Sequence, residues 1–194
     1  MSIKNLLLLI KTFLKIKDKK RAVTKLRLFE NFIPKKASIV DIGAGSGQFS
    51  LLLQKASYAV SSVDIKDKTN TQNINLIHYD GSTLPFPPAC FDVSMLITVL
   101  HHCPNPERVF KEAVRVSKNR IFILEDVYSN MVMKYLTWAM DSLVNLEFFS
   151  HPHTNKSEKE WEILFSKNDV QVLHKQKLKV LFIFAQVLYI LEKK

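Results

Sequence analysis

Cysteine is scarce in this sequence. The 194 residues include only Cys90 and Cys103, too few for a disulfide framework, and neither lies at the spacing of a metal-ligand motif. Two reduced thiols are typical of a protein from a reducing compartment. We therefore predict a cytoplasmic protein without a metal site.

Long hydrophobic runs are absent as well. The apolar run Leu6–Ile10 is far too short to span a bilayer, and it lacks the longer core and the cleavage site of a secretory signal. Between residues 6 and 16, apolar residues recur at near-helical spacing with lysines between them, which predicts an amphipathic helix. Such a helix usually packs on its own domain, but a basic one can also contact a membrane surface. Peripheral membrane contact through this helix is therefore a second expectation.

The sequence has no internal repeat, no low-complexity tract and no flexible linker. A 47% hydrophobic chain of this length suits one globular domain with a sizeable core. We expect a single domain over residues 1–194. It would comprise basic helices over residues 1–36, a core over 37–127, and a substrate-side insertion with a C-terminal strand pair over 128–194.

The formal net charge is +10, and it is unevenly distributed. Basic residues concentrate between positions 15 and 27 and again between 175 and 179, whereas the middle of the chain is close to balanced. An aromatic-interleaved basic stripe, typical of RNA-binding modules, is missing. The charge therefore favours a solvated basic face over a nucleic-acid partner, and the sequence indicates no oligomeric state.

Short β-branched runs alternate with helical patterns in the middle of the chain. The predicted strands are Ala37–Ile42, Tyr58–Ile65, Ile74–Tyr79, Phe91–Leu100 and Ile121–Glu125. Helices are predicted over Gln48–Lys55 and from Asn105 to about Ser117, where asparagine can cap, proline fits the first turn and an acid follows. This alternation predicts a parallel sheet with helices on both faces, an α/β fold of three layers.

The last third of the chain has a different pattern. Helices are predicted over Met131–Leu146 and Ser157–Phe165, and Ser157 with Glu160 makes a capping box. Strands are predicted over Val170–Leu173 and Phe182–Leu191.

A glycine-rich turn, Asp41-Ile42-Gly43-Ala44-Gly45-Ser46-Gly47, follows the first strand and begins a helix. Glycines let the backbone turn sharply and approach a ligand, and the amides of a helix start suit a polar group. A dinucleotide site needs G-x-G-x-x-G, whereas the spacing here is G-x-G-x-G. A carboxylate at Asp41 would repel a pyrophosphate but suits a ligand with an ammonium and a sulfonium. S-adenosylmethionine has both.

Two further acids end the next strands. Asp64 lies at the interval where an acid meets ribose hydroxyls in nucleoside-binding α/β folds. Asp80-Gly81 closes the third strand, where Asp80 could accept a hydrogen bond from an adenine amine and Gly81 would leave room for the ring. A solvated strand-end acid and a plain turn are the structural alternatives.

The order of these motifs resembles class I S-adenosylmethionine-dependent methyltransferases, in the small-molecule branch called methyltransferase type 11. The similarity covers about residues 37–127 and includes Val63-Asp64, Leu84-Pro85-Phe86, Phe91-Asp92-Val93, Val99-Leu100-His101-His102 and Glu112-Ala113-Val114-Arg115-Val116. It implies a Rossmann-like, seven-stranded, mostly parallel sheet whose last strand is inserted antiparallel. The sequence departs from the family pattern at Ser117-Lys118-Asn119-Arg120, where relatives carry Pro-Gly-Gly, and between the second and third strands, where the segment is too short for a full helix.

The resemblance also implies a cofactor site for S-adenosyl-L-methionine. The glycine turn would flank the methionine part with Asp41 near its ammonium, Asp64 would bind the ribose, and Ile65 would pack on the adenine. The complete set of cofactor residues implied is Asp41, Gly43, Ala44, Gly45, Gly47, Asp64, Ile65, Asp80, Gly81, Thr98 and Val99.

On the acceptor side, methyl transfer needs alignment, and an oxygen or nitrogen acceptor also needs a base. His102 is the first candidate for this base, and the others are His101, Glu125, Asp126 and Tyr128. His151 and His153 are expected on a lid. The apolar Met131–Leu146 segment could line a pocket for a small, hydrophobic acceptor.

Three other functions stay open from the sequence. They are methylation of RNA or protein, cofactor binding without catalysis, and nicotinamide-dependent oxidation.

Overall fold

The computed structural model describes residues 16, 18–67, 69, 71, 73–145, 154–180 and 184–194, and these build one seven-stranded sheet. The strands are β1 (Ser38–Ile42), β2 (Ala59–Asp64), β3 (Leu76–His78), β4 (Phe91–Ile97), β5 (Ser117–Val127), β6 (Val170–Val180) and β7 (Phe184–Lys193). The helices are α1 (residues 18–29), α2 (Gln48–Lys55), α3 (Pro106–Val116), α4 (Met131–Asn145) and α5 (Glu158–Ser166), with a 3₁₀ turn, Leu100–His102, after β4.

The strand order is β3-β2-β1-β4-β5-β7-β6. The first five strands pair in parallel, and β7 lies antiparallel between β5 and β6. The predicted Rossmann-like sheet with one inserted antiparallel strand is therefore confirmed. The central strands are rich in Val, Ile and Leu because helices cover them on both faces.

Successive residues of each strand point to opposite faces, and this alternation separates two apolar layers. Ile39 and Phe122 face α1 and α2, where they pack with Phe29 and Leu53. Val40 and Ile123 belong to the other layer, which contains Phe110 of α3 and Trp161 and Phe165 of α5. Burying each such side chain contributes about 1.5–3 kcal/mol. The three-layer arrangement follows from these two faces.

The predicted helix starts are confirmed. Asn105 caps α3 by accepting a hydrogen bond from the Arg108 amide at 3.0 Å, and Pro106 occupies the first turn. Ser157 and Glu160 form the capping box of α5. No helix forms among the described residues between β2 and β3, as the short segment indicates.

Several predicted element ends are wrong. β4 ends at Ile97, three residues before Leu100, because Thr98 adopts a positive φ of 56° that a strand cannot contain. β5 begins at Ser117, four residues before Ile121, and a bulge between its pairings with Phe91 and Val93 accommodates the extra residue.

The C-terminal hairpin is also longer than predicted. β6 runs to Val180 rather than Leu173, since β7 supplies backbone partners along its whole length. The predicted amphipathic helix over residues 6–16 lies outside the described residues, apart from residue 16 itself. Of the described helices, none is long and apolar enough to cross a membrane.

Candidate functional site

The glycine turn after β1 has a backbone that only glycine tolerates well. Gly43 has a φ of 75°, and a Cβ atom added there would lie 1.9 Å from Cγ2 of Val99. The turn therefore packs its backbone directly against the residues that follow β4. At Gly45 the opposite holds, because an added Cβ would meet nothing closer than the Gly43 carbonyl at 3.9 Å. The turn is open on that side, where a ligand can approach.

Asp64 lies at the carboxyl end of β2, next to this turn. Its carboxylate accepts hydrogen bonds from the Gly45 amide at 2.8 Å and from the Lys66 amide at 3.1 Å. The acid thus orients the turn from the side, and it lies at the edge of the sheet where the sequence places the ribose. Contact with a ribose stays a prediction.

Asp41 lies beneath the turn and is almost fully buried, with 2% of its surface exposed. Burial raises the pKa of its carboxyl group to about 6, while a hydrogen bond from Ser50 opposes the rise. Ser62 donates to Ser50 at 2.8 Å, and Ser50 donates to Asp41 at 2.5 Å. This chain of hydroxyls holds the acid in place, and the sequence prediction did not include either serine.

Asp80 and Gly81 form a tight turn after β3. Hydrogen bonds from the Ser82 hydroxyl and from the Thr83 and Ser82 amides lower the pKa of Asp80 to about 2. A Cβ atom on Gly81 would lie 3.2 Å from Ile65, whose side chain is 53% exposed. Ile65 and Gly81 therefore form an exposed apolar surface that suits a flat ring. The hydrogen bonds of Asp80, in contrast, support its role in the turn. Its contact with adenine remains a prediction.

The turn after β4 depends on Glu125, a fully buried acid of β5. One carboxylate oxygen accepts the amides of Val99 and Leu100 at 2.9 and 2.7 Å. The other lies 2.5 Å from Nδ1 of His101. Glu125 thereby positions Val99 against the glycine turn, and its oxygens are occupied by these contacts rather than directed at an acceptor.

The candidate bases differ in accessibility. His101 is 1% exposed and packs against His102 with ring centroids 4.2 Å apart, whereas His102 is partly exposed. Tyr128 donates to Glu160 at 2.8 Å, and burial raises the pKa of its hydroxyl to about 12. Asp126 accepts a hydrogen bond from Gln186 at 3.0 Å. His102 is therefore the most accessible of the predicted histidine bases in the described region, and its role as a base stays a prediction.

Lys25 of α1 was not predicted as a site residue. Its ammonium donates a hydrogen bond to the Thr98 hydroxyl at 2.9 Å, so the first helix reaches the end of β4. Burial lowers the pKa of Lys25, and Asp126 and Asp41 are among the acids that oppose this effect. Lys25 follows Ala22 by three positions and precedes Phe29 by four, which places all three on one helix face. This pattern of a lysine on a buried face was a signal available from the sequence.

Two residues of the segment before α5 also reach the site. The Thr154 hydroxyl lies within hydrogen-bond distance of three carbonyls in and just after the 3₁₀ turn, at 3.2, 3.0 and 3.1 Å from those of Leu100, His101 and Cys103. Asn155 is 5% exposed, and neither of its amide atoms has a hydrogen-bond partner in the described structure. The predicted lid residues His151 and His153 lie outside the described residues.

A small cavity of about 180 Å³ opens beyond the carboxyl end of β5. It is lined by Val127, Tyr128, Ser129, Met133, Lys177, Lys179, Phe184 and Ala185. The strands of an open parallel sheet present their ligand crevice at this edge. Across the described ranges, no three His, Cys, Asp or Glu residues are grouped closely enough to hold a metal ion.

Residues 40–123 match the family model of a methyltransferase domain, and this segment contains the glycine turn, both strand-end acids and the turn after β4. This segment is under half of the chain, and its match confirms the resemblance to class I S-adenosylmethionine-dependent methyltransferases that the motifs indicate. The same match supports S-adenosylmethionine as the predicted cofactor. A search of curated proteins gives no significant sequence match.

Solved structures share the fold of this chain. A S-adenosylmethionine-dependent methyltransferase from Methanosarcina mazei is 21% identical with a TM-score of 0.67, over 86% of this chain and 96% of the other. A possible histamine N-methyltransferase from Thermotoga maritima is 17% identical, with a TM-score of 0.67 and coverage of 95% and 96%. The magnesium protoporphyrin IX methyltransferase from Synechocystis, with bound S-adenosylhomocysteine, is 13% identical, with a TM-score of 0.67 and coverage of 95% and 87%.

The donor groups of this chain fit the predicted cofactor, S-adenosylmethionine. The turn is open at Gly45 for the methionine part, Asp41 is an acid suited to an ammonium, and Ile65 offers an apolar contact for a base. When bound, the cofactor supplies an electrophilic methyl group on a sulfonium. The chain's own contribution is to orient the two reactants and exclude water at the carboxyl edge of the sheet.

Proposed function

We propose that this methyltransferase transfers the methyl group, in line, to a small and hydrophobic organic acceptor. The observation that carries the proposal is the cavity beyond β5, at the same edge of the sheet as the glycine turn. Its volume of about 180 Å³ lies below the roughly 300–1,000 Å³ of pockets for drug-sized ligands, so it suits a small molecule or one small group.

The lining of the cavity supports a largely apolar acceptor. Val127, Met133, Phe184 and Ala185 contribute hydrocarbon surface from three different elements. Burying an apolar ligand against such surfaces contributes about 25 cal/mol for each Å² removed from water.

Asn155 is not among the residues that line the cavity, but its neighbour Lys156 pairs with the lining residue Val127, and we propose that Asn155 meets a polar atom of the same acceptor. A buried amide without partners costs about 1–3 kcal/mol, and a ligand that accepts or donates a hydrogen bond there would remove this cost. Asn155 follows Thr154, which is fastened to the 3₁₀ turn, and precedes Lys156, which pairs with Val127 at the end of β5. The amide thus belongs to the segment between the two strand ends. For an oxygen or nitrogen acceptor, His102 is the base we propose.

The acceptors named for two fold relatives belong to the same broad class. Histamine and magnesium protoporphyrin IX are both organic metabolites rather than macromolecules, one polar and one largely apolar. These relatives share the fold at low identity, so they support a metabolite as acceptor and say nothing about its size or chemistry. The cytoplasmic location and the membrane contact of the basic N-terminal segment stay predictions.

The test is a radiolabelled-methyl assay on fractionated cell extract. Purified enzyme with methyl-labelled cofactor should label organic-soluble molecules of low mass. Label found only in protein or RNA would contradict the proposal. Cofactor binding without label in any fraction would favour a non-catalytic binding domain.

A matched pair of variants connects the result to the cavity. Met133→Trp should fill the cavity and reduce kcat/KM for the labelled acceptor at least tenfold, with unchanged affinity for S-adenosylhomocysteine. Val132→Trp on the exposed side of the same helix should leave both values within twofold. Equal activities of the two variants would place the acceptor elsewhere.

A further inference from the structure

Helix α1 carries a lysine, Lys25, on the face that packs against the sheet, where an apolar residue is expected. Ala22 and Phe29 on the same helix face belong to the apolar layer that covers the sheet. Lys25 lies between them in sequence, and its ammonium extends to the Thr98 hydroxyl, 2.9 Å away, at the carboxyl end of β4. The residue therefore borders the glycine turn and the end of β4 from the side of α1.

No carboxylate among the described residues pairs directly with the Lys25 ammonium, whose hydrogen bond is to a neutral hydroxyl. Burial of the ammonium is unfavourable, and it lowers the pKa of Lys25 although Asp126, Asp41 and Glu125 oppose the shift. An anionic ligand group beside Lys25 would give the ammonium a directly bonded counter-ion.

Asp41 is a buried group of the opposite charge. Burial raises the pKa of this carboxyl group, and Lys25 is one of the groups that oppose the rise. A buried acid and a half-buried base at one edge of the sheet match a ligand that carries a cation and an anion close together. The amino-acid end of the cofactor is such a group, with an ammonium and a carboxylate on the same carbon.

We propose that the Lys25 ammonium binds the carboxylate of the cofactor's methionine part, so that α1 forms one wall of the cofactor site. The role belongs to a segment that precedes the residues of the family match, and it was not among the predicted cofactor residues. Thr98 then holds the lysine in the direction of the glycine turn. The inference rests on S-adenosylmethionine as the cofactor, and it does not depend on the acceptor proposed above.

The strained backbone of Thr98 agrees with this role. Thr98 is a β-branched residue with a φ of 56°, a conformation that costs such residues about 1–3 kcal/mol. Its hydroxyl lies between the Ile97 carbonyl, 2.6 Å away, and the Lys25 ammonium. The turn thus presents a hydroxyl to the lysine at the point where the sequence places the methionine side of the cofactor.

Calorimetry with two ligands tests the proposal on the full-length chain. S-adenosylhomocysteine has the carboxylate, and its decarboxylated form lacks the carboxylate but keeps the ammonium and the nucleoside. Loss of a charged hydrogen bond should make Lys25→Met bind S-adenosylhomocysteine about 10- to 100-fold more weakly. The same variant should bind the decarboxylated form within threefold of the wild type.

Two further variants control for folding. Lys25→Arg keeps the cation and should retain most of the affinity, while Lys19→Met changes an exposed lysine of the same helix and should change neither ligand's affinity. If Lys25→Met does not fold, the affinity ratio of the two ligands on wild-type protein still decides, and a ratio near one overturns the proposal. Equal weakening of both ligands by Lys25→Met would show that Lys25 only fastens α1 to β4, and this result too would overturn it.

Discussion

The buried acid Glu125 offers a quantitative test of how the site is held together. Its two oxygens serve three groups, the amides of Val99 and Leu100 and the ring of His101. Glu125→Ala leaves two amide donors and one ring nitrogen without their partner. A lost partner costs about 1–3 kcal/mol for each buried group, and breaking a buried charged pair costs about 3–5 kcal/mol. We expect the free energy of unfolding to fall by about 3–5 kcal/mol.

Glu125→Gln separates the charge from the hydrogen-bond geometry. The amide oxygen of Gln can still accept from Val99 and Leu100, so only the charged contact to His101 is lost. The expected loss is about 1.5–3 kcal/mol. Because Val99 packs against Gly43, affinity for S-adenosylhomocysteine should decrease in the same order, with the Ala variant affected more than the Gln variant.

The assay is urea unfolding at 25 °C, followed by circular dichroism and by tryptophan fluorescence. Glu107→Ala is the control, since Glu107 is an exposed acid that pairs with Lys111 on α3 and should contribute less than about 1 kcal/mol. Domains of this size have about 5–15 kcal/mol of total stability, so the Ala variant should unfold at a clearly lower urea concentration. A loss below about 0.5 kcal/mol in Glu125→Ala would refute the reasoning.

Three further predictions concern other parts of the site. The pKa of Asp41 is raised to about 6 in the folded state, above its unfolded value of 3.8, so its ionisation should lower stability as pH rises from 4 to 6. In urea titrations, the unfolding free energy of wild type minus that of Asp41→Asn should fall by about 2 kcal/mol over this range, and a flat difference would contradict the burial argument. Gly43→Ala should lower the free energy of unfolding strongly because its Cβ would overlap Val99. Gly45→Ala has space in the ligand-free fold and should lower the free energy of unfolding by only about 1–2 kcal/mol, from its φ of 53°; equal losses of the two variants in urea unfolding would rule out the steric explanation. Asn155→Leu should raise the melting temperature by removing an unpartnered amide, yet raise KM for the acceptor at least tenfold, and an unchanged KM would remove Asn155 from the acceptor site.

The cofactor motifs could be predicted from the sequence because they depend on local backbone chemistry. The spacing of Gly43, Gly45 and Gly47 after a buried strand defines a turn that begins a helix, and all three have a positive φ. The caps at Asn105 and Ser157 are equally local, since each joins residues three positions apart. Such local patterns can be recognised without knowing the rest of the fold.

Other features depended on partners far away in the chain. The length of β6 is decided by β7, whose residues pair with it as far as Val180. The early end of β4 arises where Thr98 turns out of the strand and Glu125 binds the amides that follow. Neither the hydrogen bond from Val99 to Glu125, 26 positions away, nor the one from Lys25 to Thr98, 73 positions away, leaves a periodic pattern in the sequence.

The glycine turn, the acids that follow β2 and β3, and the alternation of strands and helices were thus determined by the sequence itself, and they predict the methyl donor. Only the tertiary structure brought Lys25 to the end of β4, buried His101 against Glu125, and formed the cavity beyond β5. The physical reason is the sequence distance over which each interaction acts. Backbone preferences act within a few residues, whereas burial, ion compensation and cavities arise only when distant elements pack.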